Sequence, residues 1–182
     1  MGREKSDEVR MRAVGRKALL EALAEELPPG TVRFSSKLVS IDTVPAAGGS
    51  SEATVLRLED GAVIRAKLLI GCDGVHSVVA RWWTCLINCA RDGPPNPWAV
   101  LTSKADRGPV TVAGDAFHPM TPEMAQGGCS ALEDAVVLAG ALSRATTPSE
   151  GLAAYVAKRR VRAAWLVAVA YVSGWVQHGG TC

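Results

Sequence analysis

Gly114-Asp115-Ala116-Phe117-His118-Pro119-Met120-Thr121-Pro122-Glu123-Met124-Ala125-Gln126-Gly127-Gly128-Cys129-Ser130-Ala131-Leu132-Glu133-Asp134-Ala135 is the stretch on which the fold turns. It follows Val110-Thr111-Val112-Ala113, a short apolar run that reads as a buried strand. The strand delivers Gly-Asp at its carboxyl end. A proline-containing loop comes next, and Gly127-Gly128 opens a helix. A helix N-terminus built from small residues offers free N–H groups and the positive end of a dipole to an electron-rich ligand. A chance origin for so long an ordered pattern is remote.

A second stretch repeats the arrangement: Leu68-Leu69-Ile70-Gly71-Cys72-Asp73-Gly74-Val75-His76-Ser77-Val78-Val79-Ala80-Arg81. Its apolar run suits a strand buried on both faces. Gly74 lets the backbone turn close to a ligand. Asp73 either accepts hydrogen bonds from sugar-like hydroxyls or orders the turn, and taken alone Asp73-Gly74 is an ordinary tight turn. Ser77 and Arg81 fall in the helical turn that follows. Two such strands predict an α/β fold in which they are parallel neighbours and turn toward one site at their carboxyl ends.

Outward from these stretches the pattern is simpler. Val14, Ala18, Leu19, Ala22, Leu23 and Leu27 recur at helical spacing, and Pro28-Pro29-Gly30 stops the helix. Residues 31–41 read as extended. Residues 54–59 alternate as a half-buried strand, and Asp60-Gly61 turns the chain back through 62–67 as an antiparallel, partly exposed hairpin. Residues 82–104 sustain neither period and contain the breaker run Gly93-Pro94-Pro95-Asn96-Pro97. Helices are expected over about 126–142 and 151–176, the second ended by Gly179-Gly180.

Composition excludes several classes. With 20 Lys plus Arg against 18 Asp plus Glu, the net charge of +2 gives no footprint for nucleic acid. Five cysteines without framework spacing argue against a disulfide scaffold. Cys85 and Cys89 lack a second pair, so no metal site is expected. Residues 1–10 hold no apolar signal core, and a reducing, cytoplasmic compartment is the default. The apolar run at 163–172 is too short to span a bilayer.

Together the two motifs resemble the Asp-Gly and Gly-Asp fingerprints of class A FAD-dependent monooxygenases, the aromatic-ring-hydroxylase-like family, with the nearest look to plant enzymes related to zeaxanthin epoxidase. The pattern matches at Gly114, Asp115, Ala116, His118, Pro122, Gln126, Gly127, Asp134 and Ala135. It departs at Phe117 and at Ala125, where the family has glycine and a methyl group would crowd the flavin. Arg12, Val14, Arg16 and Leu19 resemble a further family pattern, and the likeness resumes over 155–177. The resemblance implies an α/β, Rossmann-like FAD-binding domain of the para-hydroxybenzoate-hydroxylase type. Its cofactor-binding residues would be Arg16, near the FAD phosphates, with Asp73, Gly74, Gly114, Asp115, Pro122, Gln126 and Gly127. Asp115 would take the ribityl hydroxyls. It further implies NAD(P)H as reductant and a small organic molecule as the substrate that receives an oxygen atom. No catalytic side chain is implied, because the reactive group is the cofactor's. His118 is read as packing beside the flavin loop rather than as a base.

Two family features are not found in this sequence. No Gly-x-Gly-x-x-Gly occurs, which places the first strand and the pyrophosphate loop upstream of Met1. The bridge between the motifs is too short for the family's substrate-domain sheet. The expected organisation is therefore a partial domain: 1–81 its N-terminal part, 82–107 an atypical linker, and 108–182 its C-terminal part. An FAD-binding oxidoreductase is one reading, and a non-catalytic remnant or interaction protein without stable FAD is the other. Lack of a first strand would also leave residues 68–70 on an uncovered edge, open to self-association.

Overall fold

A computed structural model describes residues 14–45, 52–82, 96–102 and 104–179, and the chain divides into two units, Met1–Ser36 and Lys37–Cys182. Arg12, Cys85, Cys89, Cys182 and the polar turn at 46–51 lie outside the described residues.

In the first unit, helix α1 (Arg16–Glu25) forms within the stretch whose spacing predicts it. The extended reading of 31–41 holds only from Leu38 onward. Before it, the Thr31 N–H and hydroxyl both bond back to the Pro28 carbonyl, and Ser35 takes φ +53°, so the chain turns instead of extending. Alternation of Val32 and Phe34 mimicked a strand without a partner to pair with.

The second unit opens with an antiparallel sheet in the order β1 (Leu38–Pro45), β2 (Glu52–Leu58), β3 (Val63–Ala66). The Asp60-Gly61 hairpin is as expected: β2 pairs β3 antiparallel from Thr54 with Ala66 to Arg57 with Val63, and β3 is largely exposed. The Asp60 carboxylate caps the turn by accepting the Ala62 N–H at 3.0 Å.

A second sheet has the order β4 (Leu69–Gly71), β6 (Val110–Val112), β5 (Asp106–Arg107). β4 and β6 are parallel neighbours, in register from Leu69 with Val110 to Gly71 with Val112, as the paired motifs predict. β6 is buried throughout. β4 has β6 as its one partner among the described residues, and Leu69 and Ile70 are half-buried rather than enclosed on both faces. Being at an edge explains the difference.

Helix α2 (Val78–Trp82) lies on β4. Helix α3 (Pro97–Thr102) corrects the expectation that 82–104 is without regular structure. Asn96 caps it, accepting the Trp98 N–H at 3.0 Å, and Pro97 sits at the first helical position, where its missing N–H costs nothing. Its buried Ala99 and Val100 face the core, and it packs on the last helix. Six residues are too few for a periodic pattern to be read.

Helices α4 (Gly127–Leu142) and α5 (Pro148–Gln177) pack on each other. α5 starts three residues before the sequence reading placed it. Thr147 is its cap, accepting the Glu150 N–H, while the Glu150 carboxylate reaches one residue past the cap and accepts the Thr146 N–H at 3.1 Å, a variant of the capping box that Thr147-Pro148-Ser149-Glu150 spells. The core gathers between β6 and the helices, around Val112, Phe117, Leu138, Leu152, Tyr155 and Val167.

Gly71 sets the distance between α2 and β4. A Cβ built there would stand 2.7 Å from the Val79 Cβ, closer than packed atoms tolerate. Gly71→Ala should therefore push α2 off the strand and cost about 1–3 kcal/mol, as overpacking does. Urea denaturation of the variant checks this; an unchanged midpoint would show that α2 is not held against β4.

Candidate functional site

Because β4 and β6 run parallel, the turns that leave them open at the same end of the sheet, which brings Cys72-Asp73-Gly74 and Gly114-Asp115 to one edge of the fold. The Ala113 N–H bonds to the Gly71 carbonyl at 2.9 Å, fixing the two exits side by side.

Asp73 and Asp115 are then used differently. Both Asp73 oxygens accept from its own turn. Oδ1 takes the Ser77 hydroxyl at 2.5 Å, and Oδ2 takes the Val78 and Val79 N–H groups at 2.5 and 3.3 Å. Ser77 in turn caps α2, its Oγ accepting the Ala80 N–H at 2.9 Å. Gly74 makes the return possible with φ +78°. Of the two roles open to Asp73, ordering the turn is the one its bonds perform.

Asp115 is exposed, and no described residue hydrogen-bonds its carboxylate. Gly114 precedes it with φ +59°, so the chain swings round and places Asp115 beside the start of α4: a side chain at Gly127 would begin 3.7 Å from Asp115 Oδ1. Gln126 is the N-cap of α4 and supplies no side-chain cap bond, and no other described side chain caps this helix N-terminus. Pro122 starts a short 3-10 turn (Pro122–Met124) that carries the loop to Gln126. Ala125, where glycine was expected, adopts φ +50° and ψ +26°, the left-handed conformation that glycine enters without strain. The structure thus gathers Asp73, Gly74, Gly114, Asp115, Pro122, Gln126 and Gly127 on the exits of β4 and β6 and the loop into α4. Arg16 belongs to α1 in the other unit.

Beneath this loop lies a network that sequence reasoning missed. The Asp134 side chain, on α4, is fully buried. Its Oδ2 accepts the Gly114 N–H at 2.8 Å and the His118 ring at Nε2 at 2.6 Å, while Oδ1 accepts from Arg159 Nε at 2.6 Å. Arg159, 2% exposed, also donates to Glu133 Oε2 at 2.6 Å and to the Ser130 carbonyl and hydroxyl at 3.2 and 2.9 Å. Glu133 is shared with Arg162. His118 is buried as the core of the loop, as expected of a packing role, and with Nε2 committed to Asp134 it is oriented structurally. The one hint in sequence was Arg159 itself: a cation four residues after Tyr155 on an apolar helix face must be paired if buried.

Burial pushes the Asp134 carboxyl up, yet the bonds from His118, the Gly114 amide and Arg159 outweigh it and hold it below the usual carboxylate range. Glu133 is held at about 2, chiefly by Arg162 and then, against some desolvation, by Arg159. Tyr155, bonded through its hydroxyl to the Val112 carbonyl at 3.3 Å, is pushed well up by burial and by the nearby Asp134 charge.

The profile of the family described as "FAD binding domain" matches residues 11–85 and 96–170. Monooxygenase 2 of Arabidopsis thaliana is 29% identical over 282 aligned residues, covering 94% of this chain and 68% of the relative; the aurachin C monooxygenase/isomerase of Stigmatella aurantiaca is 50% identical over 120, covering 62% and 29%. The crystal structure of Klebsiella pneumoniae HpxO complexed with FAD and uric acid superposes with a TM-score of 0.71 at 19% identity, over 91% of this chain and 64% of that one. This chain spans about two thirds of the length of Monooxygenase 2 and of HpxO.

Two outcomes are expected. Both acids have depressed folded pKa values, so their stabilisation is complete above the ordinary carboxyl range and is lost as pH falls. The melting temperature should hold down to about pH 5 and then drop continuously toward pH 2, and Asp134→Asn should flatten that slope. Ala125→Gly should raise stability by about 1 kcal/mol by removing left-handed strain, read as a higher urea midpoint.

Proposed function

This chain belongs to the FAD binding domain family, that of FAD-dependent monooxygenases, and from that premise we propose that it holds FAD at the joint exit of β4 and β6 and serves an NAD(P)H-dependent oxygenation of a small organic molecule. The observation that carries the proposal is Asp115. It is a solvent-facing carboxylate with no bond to any described residue, set beside an uncapped helix N-terminus. Free acceptors beside free donors suit a ligand that presents hydroxyls and an electron-rich edge together.

The residues fit the cofactor in this half of the site. Asp115 would accept from ribityl hydroxyls. The first N–H groups of α4, at Gly127 and Gly128, would face electron-rich atoms, with Pro122 and Gln126 shaping the loop between. Asp73 and Gly74 would line the neighbouring turn, the carboxylate keeping that turn rigid. The chemistry FAD supplies in such a site is redox with nicotinamide and delivery of one oxygen atom from O2. His118, locked to Asp134, keeps the loop in place.

A specific observation favours the other reading, a remnant that is not catalytic by itself. The alignment with Monooxygenase 2 extends over 282 positions against 182 residues here, so a large part of the relative has no counterpart. Between α2 and β5 lie only residues 83–105. A flavin needs walls that exclude water to pass oxygen to a substrate. Without them, electrons from NAD(P)H end on peroxide.

FAD titration followed by flavin fluorescence tests the site. Asp115→Ala should weaken binding at least about tenfold, a loss of ~1.4 kcal/mol, while leaving the urea midpoint unchanged. His118→Ala should lower the midpoint, because Asp134 loses a buried partner. Equal FAD affinity in wild type and Asp115→Ala would overturn the assignment. The purified chain should carry less than one FAD; a stoichiometric yellow protein would contradict the partial site.

A further inference from the structure

Helix α5 has apolar residues on two faces, and only one of them meets the core. Tyr155, Ala163, Val167, Ala170 and Gly174 are buried against the rest of the unit. On the opposite side Val161, Trp165, Val172, Trp175 and Val176 are between 51% and 69% exposed, with half-buried Ala168 among them. A helix that is apolar all round is ordinarily a buried helix.

The spacing of the outward residues identifies the kind of surface that fits. Val161, Trp165, Ala168, Val172 and Trp175 follow steps of four, three, four and three, the seam by which one helix packs along another. From Ala163 to Gln177 there is no charged residue. Of the cations just before the seam, Arg159 is engaged with Asp134 and Glu133 and Arg162 with Glu133, while Lys158 is exposed. One such cation at the end of the face is little to hold an anionic membrane or an acidic partner, and in an antiparallel pair the two copies of Lys158 lie at opposite ends and do not meet. Area agrees. At roughly 100 Å² for the exposed part of each of the five exposed side chains, a symmetric pair buries about 1,000 Å², near the lower bound for a specific interface.

We propose that the outward face of α5 pairs, antiparallel and two-fold symmetric, with the same face of a second copy of this chain. Centred on Ala168, this arrangement sets Trp165 opposite the other copy's Val172, and Trp175 opposite its Val161. The small side chain at the centre lets the two helices approach, and on either side of it each large side chain meets a smaller one. A parallel pair would instead set Trp165 against itself. A two-fold interface uses one patch twice. The pairing does not depend on flavin.

Sedimentation of the full chain at micromolar concentration tests it. Wild type should sediment as a dimer. Trp165→Glu and Val172→Lys should each raise the dissociation constant at least about tenfold, and the double variant should restore the dimer because opposite charges then face across the two-fold axis. Both positions are exposed, so each single variant should still unfold in one cooperative transition, lowered only by the stabilisation that the dimer contributed. As an independent readout on wild type, acrylamide quenching of tryptophan should fall as protein concentration rises. Several results would overturn the proposal: a wild-type monomer, whether its indoles are shielded by its own chain or it binds phosphatidylserine vesicles; a dimer that survives both single variants, which would put the pairing elsewhere, such as the β4 edge; or a double variant that stays monomeric.

Discussion

One buried carboxylate decides where the candidate site sits. Asp134 is carried by α4, takes the backbone N–H of Gly114 at the exit of β6, takes the His118 ring from the loop, and takes the guanidinium of Arg159 from α5. Three pieces of chain distant in sequence, the 114–118 loop, α4 and α5, are thereby fixed through two oxygen atoms. Burial of ions is costly unless each is paired, and breaking such a pair costs about 3–5 kcal/mol because the survivor is left uncompensated. Here the pairing is extensive: Arg159 has bonds to Asp134, Glu133 and Ser130. Asp115 and Gly127 stand at either end of the loop this network anchors, so their spacing is inherited from it.

The two strand exits show how residue order separates an aspartate spent on its own turn from one left open. In Asp73-Gly74 the glycine comes second, so the chain folds back over the carboxylate and the amides of residues 78 and 79 consume it. In Gly114-Asp115 the glycine comes first. It commits its own N–H to Asp134 and turns before the aspartate, which is carried outward and bonded by no described residue. Identical residue types at equivalent strand ends thus give one capped turn and one open acceptor.

What could be read from the sequence was whatever repeats or punctuates locally. The parallel pair of β4 and β6 followed from two apolar runs with the same ending. The hairpin followed from Asp60-Gly61, and α4 and α5 from their length. What could not be read depended on partners far along the chain. α3 is held by an Asn96 cap and by packing on α5, and its six residues carry no period. The stretch before Leu38 has strand-like alternation, yet strands exist only through neighbours, and no described strand pairs with it there. Asp134 and Arg159 are 25 residues apart on different helices, and no local pattern links them. The candidate ligand-facing residues were legible because they adjoin glycines at strand ends; the residues that hold them in place were not.

The two halves of the site are also unequally supported. The β6 half rests on a fully buried strand, two long helices and a paired ion network. The β4 half rests on a three-residue edge strand and a five-residue helix whose approach depends on Gly71 lacking a side chain. Local opening draws on the regions with the fewest buried contacts, so the β4 exit is the part that yields first. Preorganisation therefore belongs to Gly114, Asp115 and the start of α4. A ligand that meets the chain finds those groups already placed, while at the β4 exit it must help to hold the turn that Asp73 orders.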